Sequence, residues 1–250
     1  MGTEGVHEQP RFEVADWFAW EPSLESRAAW RDWAGAPVAA NDSEPLPALP
    51  MMLRRRLTVF GQKLIGGALS CKDVVGDARY IFGTRHGELG RAMRIFNDIE
   101  DGQTPSPTDF SLSIHHALIG LLSIDARNRT GHTALSAGRD SFGYSLVESA
   151  ACLAERPDEP VLLIYGDEKL PAGYDTFREA DDALLPLVVV LALRRPHDDA
   201  GALSLHMRAR GQDEVQSPSG AHDFLRFLLS GASSAVSVGD RMRWEWRRAA

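Results

Sequence analysis

Cysteine is scarce in this chain, and that scarcity excludes two classes at once. Cys71 and Cys152 lie far apart with no CxxC spacing, so neither a disulfide framework nor a cysteine-rich metal site is expected. Both fall in apolar helical patterns and read as buried thiols. No apolar run approaches the ~20 residues of a membrane-spanning helix. The first residues lack the apolar core of a secretion signal, so the cytoplasm is the expected location. Basic residues are also outnumbered, with 27 Lys and Arg against 35 Asp and Glu and a net charge of -8. No nucleic-acid partner is expected of such a surface. Short catalytic motifs are missing too. There is no HExxH, the turn Gly83–Glu88 has neither the Lys-Ser/Thr ending of a P-loop nor a GxGxxG order, and no GxSxG elbow occurs. Neither a metal nor a cofactor is expected.

What is present is an ordinary globular composition, 44% hydrophobic and 25% charged. Residues 1–10 are polar and read as a frayed end. Arg11–Trp20 reads as a strand. Ser23 is expected to cap a helix carrying Leu24, Ala28 and Trp30–Trp33, which ends at Gly35. Four prolines make residues 35–50 a loop. Pro50 then opens one amphipathic helix with Leu53, Leu57, Phe60, Leu64, Ile65 and Leu69 on its apolar face. The strand Arg79–Gly83 is followed by a helix near Leu89–Glu100. Beyond a second loop at Gln103–Thr108, a helix near Ser141–Leu153 precedes strands at Val161–Tyr165 and Leu187–Leu193. This alternation predicts an α/β fold with a buried, mostly parallel sheet and flanking helices. Residues 203–209 and 242–247 alternate in polarity around a helical stretch at His222–Leu229, which predicts a small C-terminal strand-helix-strand extension. Trp244 and Trp246 on one strand face read as core cover or as a partner-binding stripe.

The segment Gly131–Leu153 carries the clearest functional signal. A small turn, Ser136-Ala137-Gly138, runs into a helix with apolar residues at Phe142, Leu146, Ala150 and Leu153. A nucleophile at such a helix N-terminus is activated by the positive end of the helix dipole. Ser136 and Ser141 flank the turn and raise a serine-dependent acyl hydrolase or acyltransferase as a rival, although capping roles fit both. His115 and His116 are adjacent, so on a helix their side chains diverge by about 100° and do not converge on one metal. Arg54, Arg55 and Arg56 form a basic triplet on an exposed turn, either a solvated face or a dock for an acidic partner.

Five segments taken in order resemble the beta-ketoacyl synthase N-terminal family, in its short chain length factor type. They are Met52–Leu57, Phe82–Leu89, Ser106–His115, Thr133–Gly143 and Leu162–Glu168. The resemblance implies half of a thiolase-like ketosynthase fold, as a single domain over 1–250 with its core at about 11–195 and the extension at about 200–250. It also implies a place in type II fatty acid or polyketide biosynthesis of the aryl polyene, xanthomonadin-like kind. In active relatives a Cys nucleophile stands at the elbow; here the best-matching position holds Arg139, which cannot form a thioester. The two catalytic histidines that active members draw from their second half have no counterpart in these residues. Condensation needs both a thiolate and imidazole donors, so the expectation is a subunit that is not an enzyme as an isolated chain. It would pair with an active beta-ketoacyl synthase and meet an acyl carrier protein bearing a phosphopantetheine-bound acyl chain. Phe110, Ser113, His115, His116 and Phe142 would line the tunnel or interface, and Arg54–Arg56 would receive the carrier. A carrier-binding scaffold that works without a ketosynthase is the remaining alternative.

Overall fold

Two apolar runs without polar alternation, at 161–165 and 187–193, form strands buried on both faces, and the molecule is layered around them. The computed structural model describes residues 9–39, 42, 45–179, 183–199 and 201–249; the expected frayed end falls mostly on residues 1–8, outside the described residues. The strands are β1 (Arg11–Trp20), β2 (Arg79–Gly83), β3 (His132–Leu135), β4 (Val161–Asp167), β5 (Leu187–Arg194), β6 (Leu203–Ala209), β7 (Ser234–Val238) and β8 (Met242–Arg248). The helices are α1 (Arg27–Trp33), α2 (Met51–Arg54), α3 (Val59–Val75), α4 (Leu89–Glu100), α5 (Pro107–Leu112), α6 (Ala117–Asp125), α7 (Ser141–Glu155) and α8 (Gly220–Ser230). All the strands join one eight-stranded sheet in the order β3-β2-β4-β5-β1-β6-β8-β7.

Each face of the sheet buries its own core. Leu162 and Ile164 of β4 and Val188 and Val190 of β5 meet Phe60, Leu64, Ile65 and Ala68 of α3 and Leu118, Ile119 and Leu122 of α6. Leu163, Tyr165, Val189 and Leu191 point the other way, into a cluster with Phe142 and Leu146 of α7 and Phe224, Leu225 and Phe227 of α8. At about 1.5–3 kcal/mol for each large apolar side chain fully buried, these two clusters dominate the stability.

The mostly parallel sheet is corrected to a mixed one. Only β3, β2 and β4 run parallel, joined by α4–α6 and by α7. Parallel pairing needs such a crossover. Residues 168–186 supply only short 3-10 stretches, at Asp175–Phe177 and at 183–184, among the described residues. The chain therefore reverses and β5 lies antiparallel to β4, with β1 antiparallel to β5. Two helix starts also move. Ser26, not Ser23, caps α1 by accepting from Ala29 N at 3.2 Å. The single helix expected after Pro50 is broken, because Thr58 accepts from Gly61 N at 3.1 Å and starts α3 afresh. The C-terminal extension is strand-helix-strand-strand: the short β7 was missed, and β8 inserts between it and β6. Trp244 and Trp246 are buried in the α7–α8 core, as the core-cover reading has it.

α7 approaches β8 closely because Gly143 leaves room for an indole: a Cβ there would overlap the Trp244 ring. By contrast, Gly120 in α6 faces open space. Gly143→Ala is expected to destabilise by about 1–3 kcal/mol through overpacking. Gly120→Ala should stabilise by about 0.5–1 kcal/mol through helix propensity. Urea denaturation of both variants checks the contrast.

Candidate functional site

The parallel strands β2, β3 and β4 all end on one side of the sheet. Gly83 lies in register with Leu135 of β3 and Tyr165 of β4. The carboxyl ends of parallel strands are where open α/β sheets place their sites, and three loops meet there: 84–88, 136–140 and 167–170. Asp167 is their fixed point. Fully buried, its carboxyl accepts from Arg85 N at 2.6 Å, Thr84 Oγ1 at 3.0 Å and the Tyr165 hydroxyl at 2.6 Å. Burial raises its pKa, and the three hydrogen bonds oppose that rise.

Next to it, the 136–140 turn is held by backbone demand and by one serine. Gly138 takes φ +59°, a left-handed conformation that glycine adopts without strain. The Ser141 hydroxyl accepts from Ala137 N at 2.9 Å and donates to Gly138 O at 2.6 Å. Ser136 donates to Arg85 O at 2.9 Å. Both hydroxyls are thus engaged with backbone, and neither shows a histidine partner among the described residues. Asp140 is buried and accepts from Trp244 Nε1 and Arg241 N, both at 2.8 Å. Arg139 folds over the turn toward the C-terminal segment. Its guanidinium donates to Gln216 Oε1 at 3.2 Å and Ser217 O at 3.3 Å, and pairs with Glu179 at 3.2 Å. Beneath it, between Phe142, Tyr165 and Trp244, the enclosed space is about 30 Å³, room for about one water molecule and not for an acyl chain.

The other expected site residues spread over the surface and the core. Phe110 on α5 is 69% exposed, while Phe142 is buried between Tyr165 and Phe224, with ring centroids 5.3 and 5.4 Å away. The two are therefore not brought to one surface, and Phe142 faces the core. Ser113 ends α5 and donates to Phe110 O at 2.9 Å. His115 and His116 occupy the exposed turn before α6, where the His116 ring stacks on His132 of β3 at 6.3 Å. Arg54, Arg55 and Arg56 are exposed at the end of α2 and the turn after it. No cluster of His, Cys, Asp or Glu suited to a metal occurs among the described residues. No described helix is long and apolar enough to cross a membrane. Cys71 and Cys152 are free, and burial pushes the Cys71 thiol up to about 12, leaving it unreactive.

The beta-ketoacyl synthase, N-terminal domain family matches residues 30–247. The chain belongs to this family. A ketosynthase (ApeO) in complex with its chain length factor (ApeC) from Xenorhabdus doucetiae superposes with a TM-score of 0.80 at 29% identity, covering 95% of this chain and 99% of the matched one. The two chains are therefore of nearly equal length. The ishigamide ketosynthase/chain length factor gives a TM-score of 0.56 at 18% identity, over 81% of this chain and 68% of that one. A type II acyl-carrier protein in complex with its hexaketide-bound ketosynthase (AntDE:AntF) gives 0.60 at 12%, over 80% and 69%. These last two establish the fold, which is the thiolase-like ketosynthase fold. No curated protein matches.

In this ketosynthase-family chain, two side-chain groups escaped the motif reading. The first is ionic. Glu88 is buried before α4, accepts from Thr58 Oγ1 at 2.9 Å and faces Arg91 Nε at 3.1 Å. Arg91 in turn meets Asp109 at 2.8 Å and Arg56 O at 2.7 Å. Glu168 stands nearby, raised to about 7 by burial and then by the charge of Glu88, against the lowering pull of Arg91 and Arg94. The Glu88–Arg91 spacing of a helical turn was the available signal. The second is a chain in which His222 lies 2.9 Å from Ser219 Oγ and 3.0 Å from Glu21. Ser219 caps α8 by accepting from His222 N, so the serine-to-histidine spacing marks a helix start.

Two outcomes follow from these contacts. Asp140→Ala strands the Trp244 indole N–H and the Arg241 amide; unsatisfied buried donors cost about 1–3 kcal/mol each, so chemical denaturation should show a loss of about 2–4 kcal/mol. Glu168 binds its proton more tightly folded than unfolded, so it makes stability fall as pH rises from about 4.5 to about 7. Glu168→Gln is expected to flatten that part of the pH–stability curve and to raise the melting temperature at pH above 7, as differential scanning calorimetry will show.

Proposed function

We propose that this chain is a non-catalytic, chain length factor type subunit that pairs with an active beta-ketoacyl synthase in type II fatty acid or polyketide biosynthesis of the aryl polyene kind. We read residues 1–250 as one ketosynthase N-terminal-like domain. The observation that carries the reading is the closed elbow. At the turn we read as the nucleophile position, Arg139 is bonded to Gln216, Ser217 and Glu179 over about 30 Å³ of space. A guanidinium cannot carry an acyl group, and such a space cannot hold one. The ketosynthase–chain length factor complex that contains a chain of nearly the same length supports the role.

Pairing has a surface to use. β3 is an outer strand of the sheet, bonded to β2 alone among the described residues, and outer strands are templates for a partner's backbone. Beside it, α5 presents Phe110 and the turn before α6 presents Ile114, His115 and His116 to solvent. We assign Phe110, Ser113, His115 and His116, with the 133–150 segment behind them, to the partner interface and the tunnel that limits chain length. Arg54, Arg55 and Arg56 would receive the acidic carrier protein and its phosphopantetheine-bound acyl chain. The proposed location is the cytoplasm. The serine-hydrolase alternative is weakened by the backbone bonds of Ser136 and Ser141.

Co-expression of the tagged chain with the active ketosynthase of its own pathway, followed by affinity purification and mass determination, tests the reading. The expected product is a 1:1 complex with condensing activity that neither chain has alone. A monomer or homodimer that ignores the ketosynthase would sink it. Arg139→Cys alone should gain no condensing activity with malonyl-carrier protein, and elongation by that variant would also count against the proposal.

A further inference from the structure

Apart from the serines of the elbow turn, the start of α8 sets a hydroxyl, an imidazole and a carboxylate in one line. Ser219 Oγ lies 2.9 Å from His222 Nδ1, and His222 Nε2 lies 3.0 Å from Glu21 Oε2. We propose that Ser219 is a nucleophile toward short-chain acyl esters, with His222 as its base and Glu21 as the positioning residue. This goes beyond the pairing role and does not rest on it, since that role requires only that the elbow carry out no condensation.

The order of the line sets the protons. A carboxylate only accepts, so in the neutral ring Glu21 takes the Nε2 proton and leaves Nδ1 free to accept from the Ser219 hydroxyl. Other contacts hold that arrangement. Ser23 donates to the second oxygen of Glu21, and Glu21 and Leu24 exchange backbone bonds at 3.3 and 3.1 Å. Trp30 and Trp33 flank the imidazole, with ring centroids 5.6 and 5.9 Å away. The side chains of His222 and Glu21 are only 11% and 13% exposed, so little water competes for their contact. A helix cap needs none of this. Ser219 caps α8 through a lone pair, accepting from His222 N at 3.4 Å, and keeps its own proton to give.

An oxyanion also has donors at hand. The first amides of the eleven-residue α8, those of Gly220 and Ala221, make no bond among the described residues, as helix starts leave them. Ser219 is half-buried beside exposed Pro218, which gives a small ester access. The elbow space that Ser219 borders is about 30 Å³, which rules out a long acyl chain on that side.

Attack on the ester carbonyl carbon forms the Oγ–C bond as the carbonyl electron pair moves to oxygen and the hydroxyl proton passes to Nδ1. Collapse of the tetrahedral adduct breaks the bond to the alcohol oxygen, which leaves with the proton from Nδ1. Water repeats both steps on the acyl-serine, releasing the carboxylic acid and restoring Ser219.

The full chain, without any ketosynthase, is treated with a fluorophosphonate probe and, separately, with p-nitrophenyl acetate. A fluorophosphonate adduct on Ser219, located by mass spectrometry, and release of p-nitrophenol are expected. Ser219→Asn keeps a good helix cap and is expected to lose adduct and turnover while melting like the parent. Glu21→Gln removes the charge that fixes the tautomer, so kcat should fall about tenfold or more at unchanged KM. An adduct on Ser136 or Ser141 in place of Ser219, turnover retained in Ser219→Asn, or no adduct at all would overturn the proposal. Co-expression with the ketosynthase tests the pairing reading separately, so either can fail while the other stands.

Discussion

The carboxylate of Asp140 joins parts of the chain that sequence holds a hundred residues apart. It sits at the N-terminus of α7 with its two oxygens satisfied by the Trp244 indole and the Arg241 amide. Through that contact the turn after β3 is fastened to the β7–β8 hairpin, and Arg139 is carried with it against Gln216 and Ser217. Trp244 lies over Gly143, where any side chain would displace it. The closed elbow, the position of α7 and the attachment of the C-terminal strands therefore share one buried charge. A charge buried this way is tolerable because every contact to it is a donor.

The opposite side of the strand ends is organised differently. There, arginines and carboxylates alternate from Glu88 through Arg91 to Asp109 and Arg94. Such pairs gain little net stability against the cost of desolvating them, but they fix geometry. One result is that Glu168 is left beside them with burial and a like charge, and without a bonded cation among the described residues. The same three strand ends thus carry a narrow elbow space lined by Arg85, Arg139 and Asp167 and, a short distance away, a carboxylate whose proton affinity is raised.

Much of this was legible from residue patterns. The continuous apolar runs of β4 and β5 and the helix after Leu89 were found at nearly their observed bounds, because burial on two faces or one leaves a plain period. Strand direction was not legible: nothing in the period of Leu187–Leu193 distinguishes a strand that returns antiparallel, and the decision rests on a connection without a crossover helix. Thr58 was lost inside an apolar stripe, although its hydroxyl starts a helix. The weakly patterned Ser-Ala-Val-Ser-Val of β7 gave no signal. Arg139 was singled out by the resemblance, as the residue at the best-matching nucleophile position, yet its partners lie at 179, 216 and 217, and no spacing rule links them. Glu168 stood within a segment quoted for its resemblance, but its setting depends on Glu88 and Arg91, which fold alone brings near.

The seam between β1 and β6 gives the sheet a mechanical character. These strands register only through Arg11–Ser204 and Phe12–Leu203, with Leu205 N donating to Pro10 O, whereas β6 and β8 pair along their full length. Local opening in proteins follows cooperative units and begins where they are joined most thinly. The unit beyond this seam, β6-α8-β7-β8, is the one that covers Arg139 and Asp140. Parting of the seam alone would not release that cover, because Asp140 still holds Trp244 and Arg241 and Phe224 still packs on Phe142, so the elbow stays shut while either fastening holds.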